Sequence, residues 1–227
     1  MIKQIQLLGM TFSNYSLREE LQLAQDALDC ENLQIFLTVS MQTLMKGAGT
    51  SELAKRCVEQ ADMVVIEDPE ILSVAGITSS QRIREAEDHL FFTEFVKRLQ
   101  SGQKNIYLVA SKHVALEKIK EILAERYEKL KIVGQYSIED YPEDLDRMIN
   151  EINGIAPDAI ISVMSTPQQE EFLMHNREKI LAKLWYGLGE NYSLLIEKKG
   201  ICWRMRRLIH FGRFKLHVNN YESDDKK

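Results

Sequence analysis

Residues 159–164, Ala-Ile-Ile-Ser-Val-Met, and the turn after them constrain this chain more than any other stretch. The run is too short and too rich in β-branched residues for a buried helix, so it reads as a core strand. Ser165, Thr166 and Pro167 break it. Proline suits the first helical position, where its missing N–H would be unpaired anyway. Gln168, Gln169 and Glu170 then fall in the first turn of a helix reaching about Lys179. In an alternating α/β protein such a turn lies at the carboxyl edge of the sheet, where ligands bind. Free N–H groups at the helix start favour anions such as phosphate. Gln169 and Glu170 add side chains able to read a hydroxyl or a base edge.

The same strand-then-helix pattern recurs along the chain. Strands are expected at 2–8, as a strand or hairpin arm, and at 33–39, 63–66, 106–110, 131–134 and 183–186. Helices are expected from about 17 to 29, after Ser40, over 51–60, 89–100, 114–127 and 142–153. The polar stretch 78–88 reads as a loop. Alternation with short connections predicts an α/β fold: a Rossmann-like, mostly parallel sheet with helices on both faces. Right-handed crossovers put the turns 38–42, 68–70, 110–113, 165–170 and 187–193 on one edge.

Composition narrows the function. The chain has 227 residues and a net charge of −5, so as a whole it is no nucleic-acid binder by charge. Cys30, Cys57 and Cys202 match no metal or redox spacing, and the five histidines are scattered, so no metal site is expected. Lys3 is followed by only a brief apolar run, unlike a signal peptide, and no stretch approaches the ~20 apolar residues that span a bilayer. No glycine fingerprint follows the first strand, which sets aside a nicotinamide enzyme.

The tail differs. Residues 198–220 contain no Asp or Glu. Basic residues, among them Arg204, Arg206, Arg207 and Arg213, alternate with Trp203, Met205, Leu208, Ile209, Phe211, Phe214 and Leu216. This is a basic amphipathic helix, or two short ones. It suits either an anionic membrane surface or docking on the domain; one hydrophobic face cannot do both. The aromatics lie on the apolar stripe and no recognition motif is present, which disfavours nucleic acid. The chain divides into an α/β domain, 1–197, and this appendage, 198–227.

Along nearly its whole length the chain resembles the WecG/TagA/CpsF family of glycosyltransferases. The family's Thr-x-Asn-x-Glu turn corresponds to Thr38-Val39-Ser40-Met41-Gln42, and its Asp-Gly after the third strand to Asp68-Pro69. Its Arg-Val-x-Gly-x-Asp stretch corresponds to Arg82-Ile83-Arg84-Glu85-Ala86-Glu87, and its Tyr-Pro-x-Leu-Lys-Ile-Val-Gly to Tyr127-Glu128-Lys129-Leu130-Lys131-Ile132-Val133-Gly134. Pro-Asp followed by Gly-x-Pro-x-Gln-Glu is here Pro157-Asp158 and Ser165-Thr166-Pro167-Gln168-Gln169-Glu170. Gly-Val-Gly-Gly-x-Phe-Asp is here Gly187-Leu188-Gly189-Glu190-Asn191-Tyr192-Ser193. A Gly-Gly pair after the 106–110 strand is replaced by Ala110-Ser111.

The resemblance implies inverting transfer of a sugar, usually an N-acetylhexosamine, from a UDP-sugar to a polyprenyl-diphosphate-linked sugar. The setting it implies is cell-wall or capsular polysaccharide synthesis at the cytoplasmic membrane face, with no cofactor beyond the UDP-sugar substrate. Asp68 would be the catalytic base. Thr38, Ser40, Gln42, Arg82, Ser111, Gln169, Glu170, Gly187 and Gly189 would bind the nucleotide sugar. Trp203, Arg204, Arg206, Arg207 and Arg213 would meet the acceptor and an anionic membrane. The replaced motif residues leave a second reading open: a member without catalysis that keeps the fold as a binding or partner subunit of another transferase. Self-association is a further expectation.

Overall fold

The computed structural model describes residues 3–142, 144–190 and 201–224, and the side chains of 3, 48–50, 201–207 and 222–224 lie outside that description. The chain opens with an antiparallel hairpin, β1 (Lys3–Leu7) and β2 (Met10–Asn14), in register Leu7↔Met10. Its two turn residues, Leu8 and Gly9, both have positive φ, as a tight hairpin turn matching the strand twist requires. The rest builds one six-stranded sheet in the order β4-β3-β8-β7-β5-β6. Its strands are β3 (Gln34–Val39), β4 (Met63–Ile66), β5 (Asn105–Ala110), β6 (Lys131–Ser137), β7 (Ala159–Val163) and β8 (Leu184–Gly187). Every pairing among them is parallel. The sequence expectation of a parallel α/β sheet is met, with the hairpin standing outside it.

Two apolar layers cover the sheet. One is built on α2 (Met41–Thr50), α3 (Glu52–Glu59), α8 (Leu145–Ile155), α9 (Gln168–Asn176) and the hairpin. The other is built on α1 (Leu17–Asp29), α6 (Leu90–Ser101) and α7 (His113–Arg126). Strand residues alternate between them: Ile160 joins the first layer, Ala159 and Ile161 the second, the period of two that a strand imposes. Local chemistry starts the helices. Ser16 and Glu19 form a capping box on α1, Ser40 and Thr43 one on α2, and Ser51 caps α3.

Two short helices were not legible. Residues Pro69–Val74 form α4 and Ser80–Glu87 form α5, the latter where a polar loop was expected. The polar composition of α5 misleads because its buried residues are Arg82, Glu85 and Ala86, and Arg82 and Glu85 are paired ions rather than an apolar stripe.

The tail is a single helix, α10 (Ile201–Asp224). Phe214 and Val218 are buried in the first layer, with Phe211 and Tyr221 packed against it. Tyr221 reaches the hairpin, where its hydroxyl stands in the space a Cβ at Gly9 would need. The helix therefore docks. It also carries a second apolar set on the outside: Leu208, Ile209 and Leu216 are 69%, 58% and 63% exposed. The either-or choice drawn from the sequence dissolves, because the helix has apolar residues on two sides.

Burial of an aromatic ring at this depth is worth about 3–5 kcal/mol on truncation. Phe214→Ala should therefore lower the unfolding free energy by about 3 kcal/mol or more, and Leu216→Ala by less than about 0.5 kcal/mol. Denaturant titration checks both; equally small losses would place α10 off the domain.

Candidate functional site

Because all six strands of the main sheet run the same way, all their carboxyl ends meet one edge. α7 leaves β5 towards the second layer, whereas α9 leaves β7 towards the first. β5 and β7 are neighbours, so the chain departs in opposite directions between them, the topological switch at which such folds bind ligands.

Asp68 follows β4 and is partly exposed. Its carboxylate does not cap its own helix; instead Oδ2 accepts the Met41 N–H at 2.7 Å, at the first residue of α2. A negative charge at a helix start is favoured by the dipole and the unpaired amides there. Pro69 stands where the resemblance implies glycine, and it fits, because it is the first residue of α4 and needs no N–H. Asp68 thus ties the end of β4 to the start of α2.

From there the contacts run on along the edge. Thr43, two residues beyond Met41, brings its methyl to 3.5 Å from where a Cβ at Gly189 would stand. Two residues back, Gly187 carries no Cβ because the Gln169 side-chain amide lies against it. Asp68, α2, the β8 corner and Gln169 therefore form one continuous line on one edge. Ser40 is buried and spends its side chain on the α2 capping box, and Gln42 in the same turn is partly exposed.

Gln169 and Glu170 are both buried, at 2% and 5% exposure. Gln169 Oε1, Glu170 Oε2, the Ser162 hydroxyl and the Trp185 indole N–H have no hydrogen-bond partner among the described residues. Each such group costs roughly 1–3 kcal/mol when left unmet. Thr166 Oγ1 donates to Glu170 Oε1 at 3.1 Å. Burial pushes the Glu170 carboxyl up to about 7.

Beyond β7 the switch crevice is stitched by side chains. Ser111 Oγ donates to Gln168 Oε1 at 2.6 Å and accepts the Ser165 N–H at 3.1 Å; Ser165 Oγ donates to the same Gln168 oxygen at 3.2 Å. The start of α7, a place expected to suit an anion, is held by the chain's own carboxylate: Glu139 Oε2 accepts the His113 N–H at 3.1 Å. Beside Gln168, a cleft of about 510 Å³ lies between α8 and α9, lined by Ile138, Leu145, Met164, Pro167 and Phe172 among others. Its volume is in the range of small-molecule sites.

Two of the expected binding residues turn elsewhere. The Thr38 hydroxyl donates to the Tyr186 hydroxyl at 3.2 Å, within the second layer. Arg82 is buried in a network, donating to Asn14 Oδ1 and Glu20 Oε1 at 2.9 Å each and lying 3.6 Å from Glu85. Burial raises Glu20 to about 7 against the pull of Arg82. Glu67, just before Asp68, is buried on that same side and burial holds its carboxyl well above the usual range, with Asp68 adding to the effect. Sequence reading left Gln168, Glu67 and Glu139 out of the candidate site. The available signal was a polar residue at the end of a strand or the start of a helix, which is too common to single out. The side chains of Trp203, Arg204, Arg206 and Arg207 lie outside the described residues, and Arg213 is exposed on α10. No helix among the described residues is long and apolar enough to cross a membrane.

Over residues 5–199 the chain matches the model of the Glycosyl transferase WecG/TagA/CpsF family. It is 18% identical over 226 residues to a Staphylococcus aureus (strain MRSA252) protein, N-acetylglucosaminyldiphosphoundecaprenol N-acetyl-beta-D-mannosaminyltransferase, covering 92% of this chain and 86% of that protein.

Glu170 gives a pH test. Its folded-state value, about 7, exceeds the ordinary 4.5, so its contribution is complete below the ordinary value and is lost as pH rises through about 7. Between about pH 5 and about pH 8, wild type should lose at least ~3 °C of melting temperature more than Glu170→Gln. Parallel melting curves would show instead that the carboxyl is solvated.

Proposed function

The chain belongs to the WecG/TagA/CpsF family of glycosyltransferases, and we propose that it moves an N-acetylhexosamine or a related sugar from a UDP-sugar to a polyprenyl-diphosphate-linked acceptor in cell-wall or capsular polysaccharide synthesis, with inversion at the anomeric carbon. One observation carries the reading. Asp68 lies in a continuous line of contacts with α2, Gly189, Gly187 and Gln169 on the ligand-binding edge of the sheet. The relative's name describes a transfer to a diphosphoundecaprenol-linked sugar, which supplies the acceptor class.

In the proposed reaction the acceptor hydroxyl oxygen attacks the anomeric carbon, Asp68 takes its proton, and the bond to the UDP oxygen breaks. A carboxylate has several lone-pair sites, so accepting the Met41 N–H leaves it able to take a substrate proton as well. Gln169 holds the nucleotide sugar from beneath, where its carbonyl oxygen has a hydrogen bond still to make. From this line a bound ligand extends past Gln168 into the cleft between α8 and α9.

Peripheral attachment to an anionic membrane, at its cytoplasmic face, fits α10. With Phe214 and Val218 spent on the core, Leu208, Ile209 and Leu216 remain for lipid, next to exposed Arg213 and Lys215.

The second reading, a non-catalytic partner subunit, is favoured by the side chains that fill the β5–β7 crevice. Thermal stabilisation by UDP separates the two, since a ligand of the folded state raises the melting point by mass action.

Asp68→Asn should cut turnover by ~100-fold or more while UDP still raises the melting temperature; full activity in this variant removes Asp68 as the base. Replacing Leu208, Ile209 and Leu216 together by serine should release the protein from anionic vesicles with little change in melting temperature. Retained sedimentation with the vesicles would assign α10 to docking alone.

A further inference from the structure

At the seam between α2 and the β8 corner, Lys46 Nζ forms an ion pair with Glu190. Lys46 lies on the second turn of α2, the helix whose first amide holds Asp68 and whose Thr43 abuts Gly189. Glu190 follows Gly189 directly. The pair therefore adjoins the contact between Thr43 and Gly189 that joins α2 to the β8 corner.

The pair resolves an apparent conflict in the sequence. Glu190 stands at a position where the resemblance implies glycine, and a lone carboxylate there would repel a diphosphate. Lys46 cancels that charge. Both side chains also reach water, at 39% and 45% exposure. Exposed pairs of this kind hold weakly, because solvent screens the attraction and long side chains lose freedom in forming them. A lysine ammonium is a mobile point charge that suits phosphate. A diphosphate carries more negative charge than one carboxylate, so it draws the ammonium away, and Glu190 can then turn to solvent.

We propose that Lys46 binds the diphosphate of the sugar-nucleotide donor and that Glu190 holds Lys46 at the seam until the donor arrives, competing with it for the ammonium. The inference rests on the UDP-sugar reading and adds to it a specific phosphate ligand and a residue that tempers donor affinity.

Titration of the purified full chain with UDP, and with uridine as a probe lacking phosphate, tests it. Losing a contact of this class changes affinity by about fivefold. Lys46→Met should weaken UDP binding by about fivefold, Lys46→Arg should largely restore it, and Glu190→Gln should tighten it by a few fold. Uridine binding should be unchanged in all three, and the UDP differences should shrink as salt is raised. UDP affinity unaltered by Lys46→Met, or weakened by Glu190→Gln, overturns the inference while leaving the transferase reading intact. If wild type binds no UDP at all, both fall. Unchanged melting curves of the variants exclude misfolding as the cause.

Discussion

The hydrogen bond from the Met41 amide to Asp68 is the interaction on which the rest of the edge depends. It joins the exit of β4 to the entry of α2, elements that leave adjacent strands of the sheet. With α2 anchored there, Thr43 meets Gly189 and Lys46 meets Glu190, so the β8 corner is placed by the same helix. Gly187 then admits Gln169 from α9. Four corners of the fold are brought into one line, and the Asp68 carboxylate sits at its end.

That line is expensive to build. Several polar groups at and beneath the edge have no partner among the described residues, and burial raises the Glu170 carboxyl to about 7. Such groups oppose folding unless a ligand or water meets them, and they mark a region shaped by something other than stability. The second layer shows the contrasting solution. There Arg82 is enclosed by Glu20, Glu85 and Asn14, and its charge is spent within the protein. Buried polar groups are thus left unmet beneath the edge and are paired within the protein around Arg82.

α10 shows the same division within one helix. Its inner side, centred on Phe214 and Val218, completes the first layer, and its outer side keeps large apolar residues in water. Exposing them costs free energy that burial would recover, which is consistent with a surface that is covered when the protein works.

Repetition of short β-branched runs and capped helices determined the α/β class, the parallel sheet and the common edge, because strand period, capping and turn chemistry are local. Asp68, Gln169 and Gly187 could be placed on that edge for the same reason. The inward turn of Arg82, the helix hidden in residues 80–87, the Thr38 bond to Tyr186 and the two-sided α10 were decided only in three dimensions. Each depends on contacts between elements far apart in the chain. In the order β4-β3-β8-β7-β5-β6, β3 touches β8 from the far end of the chain. Neighbours of that kind are chosen by packing over long sequence separations, and no local pattern records them.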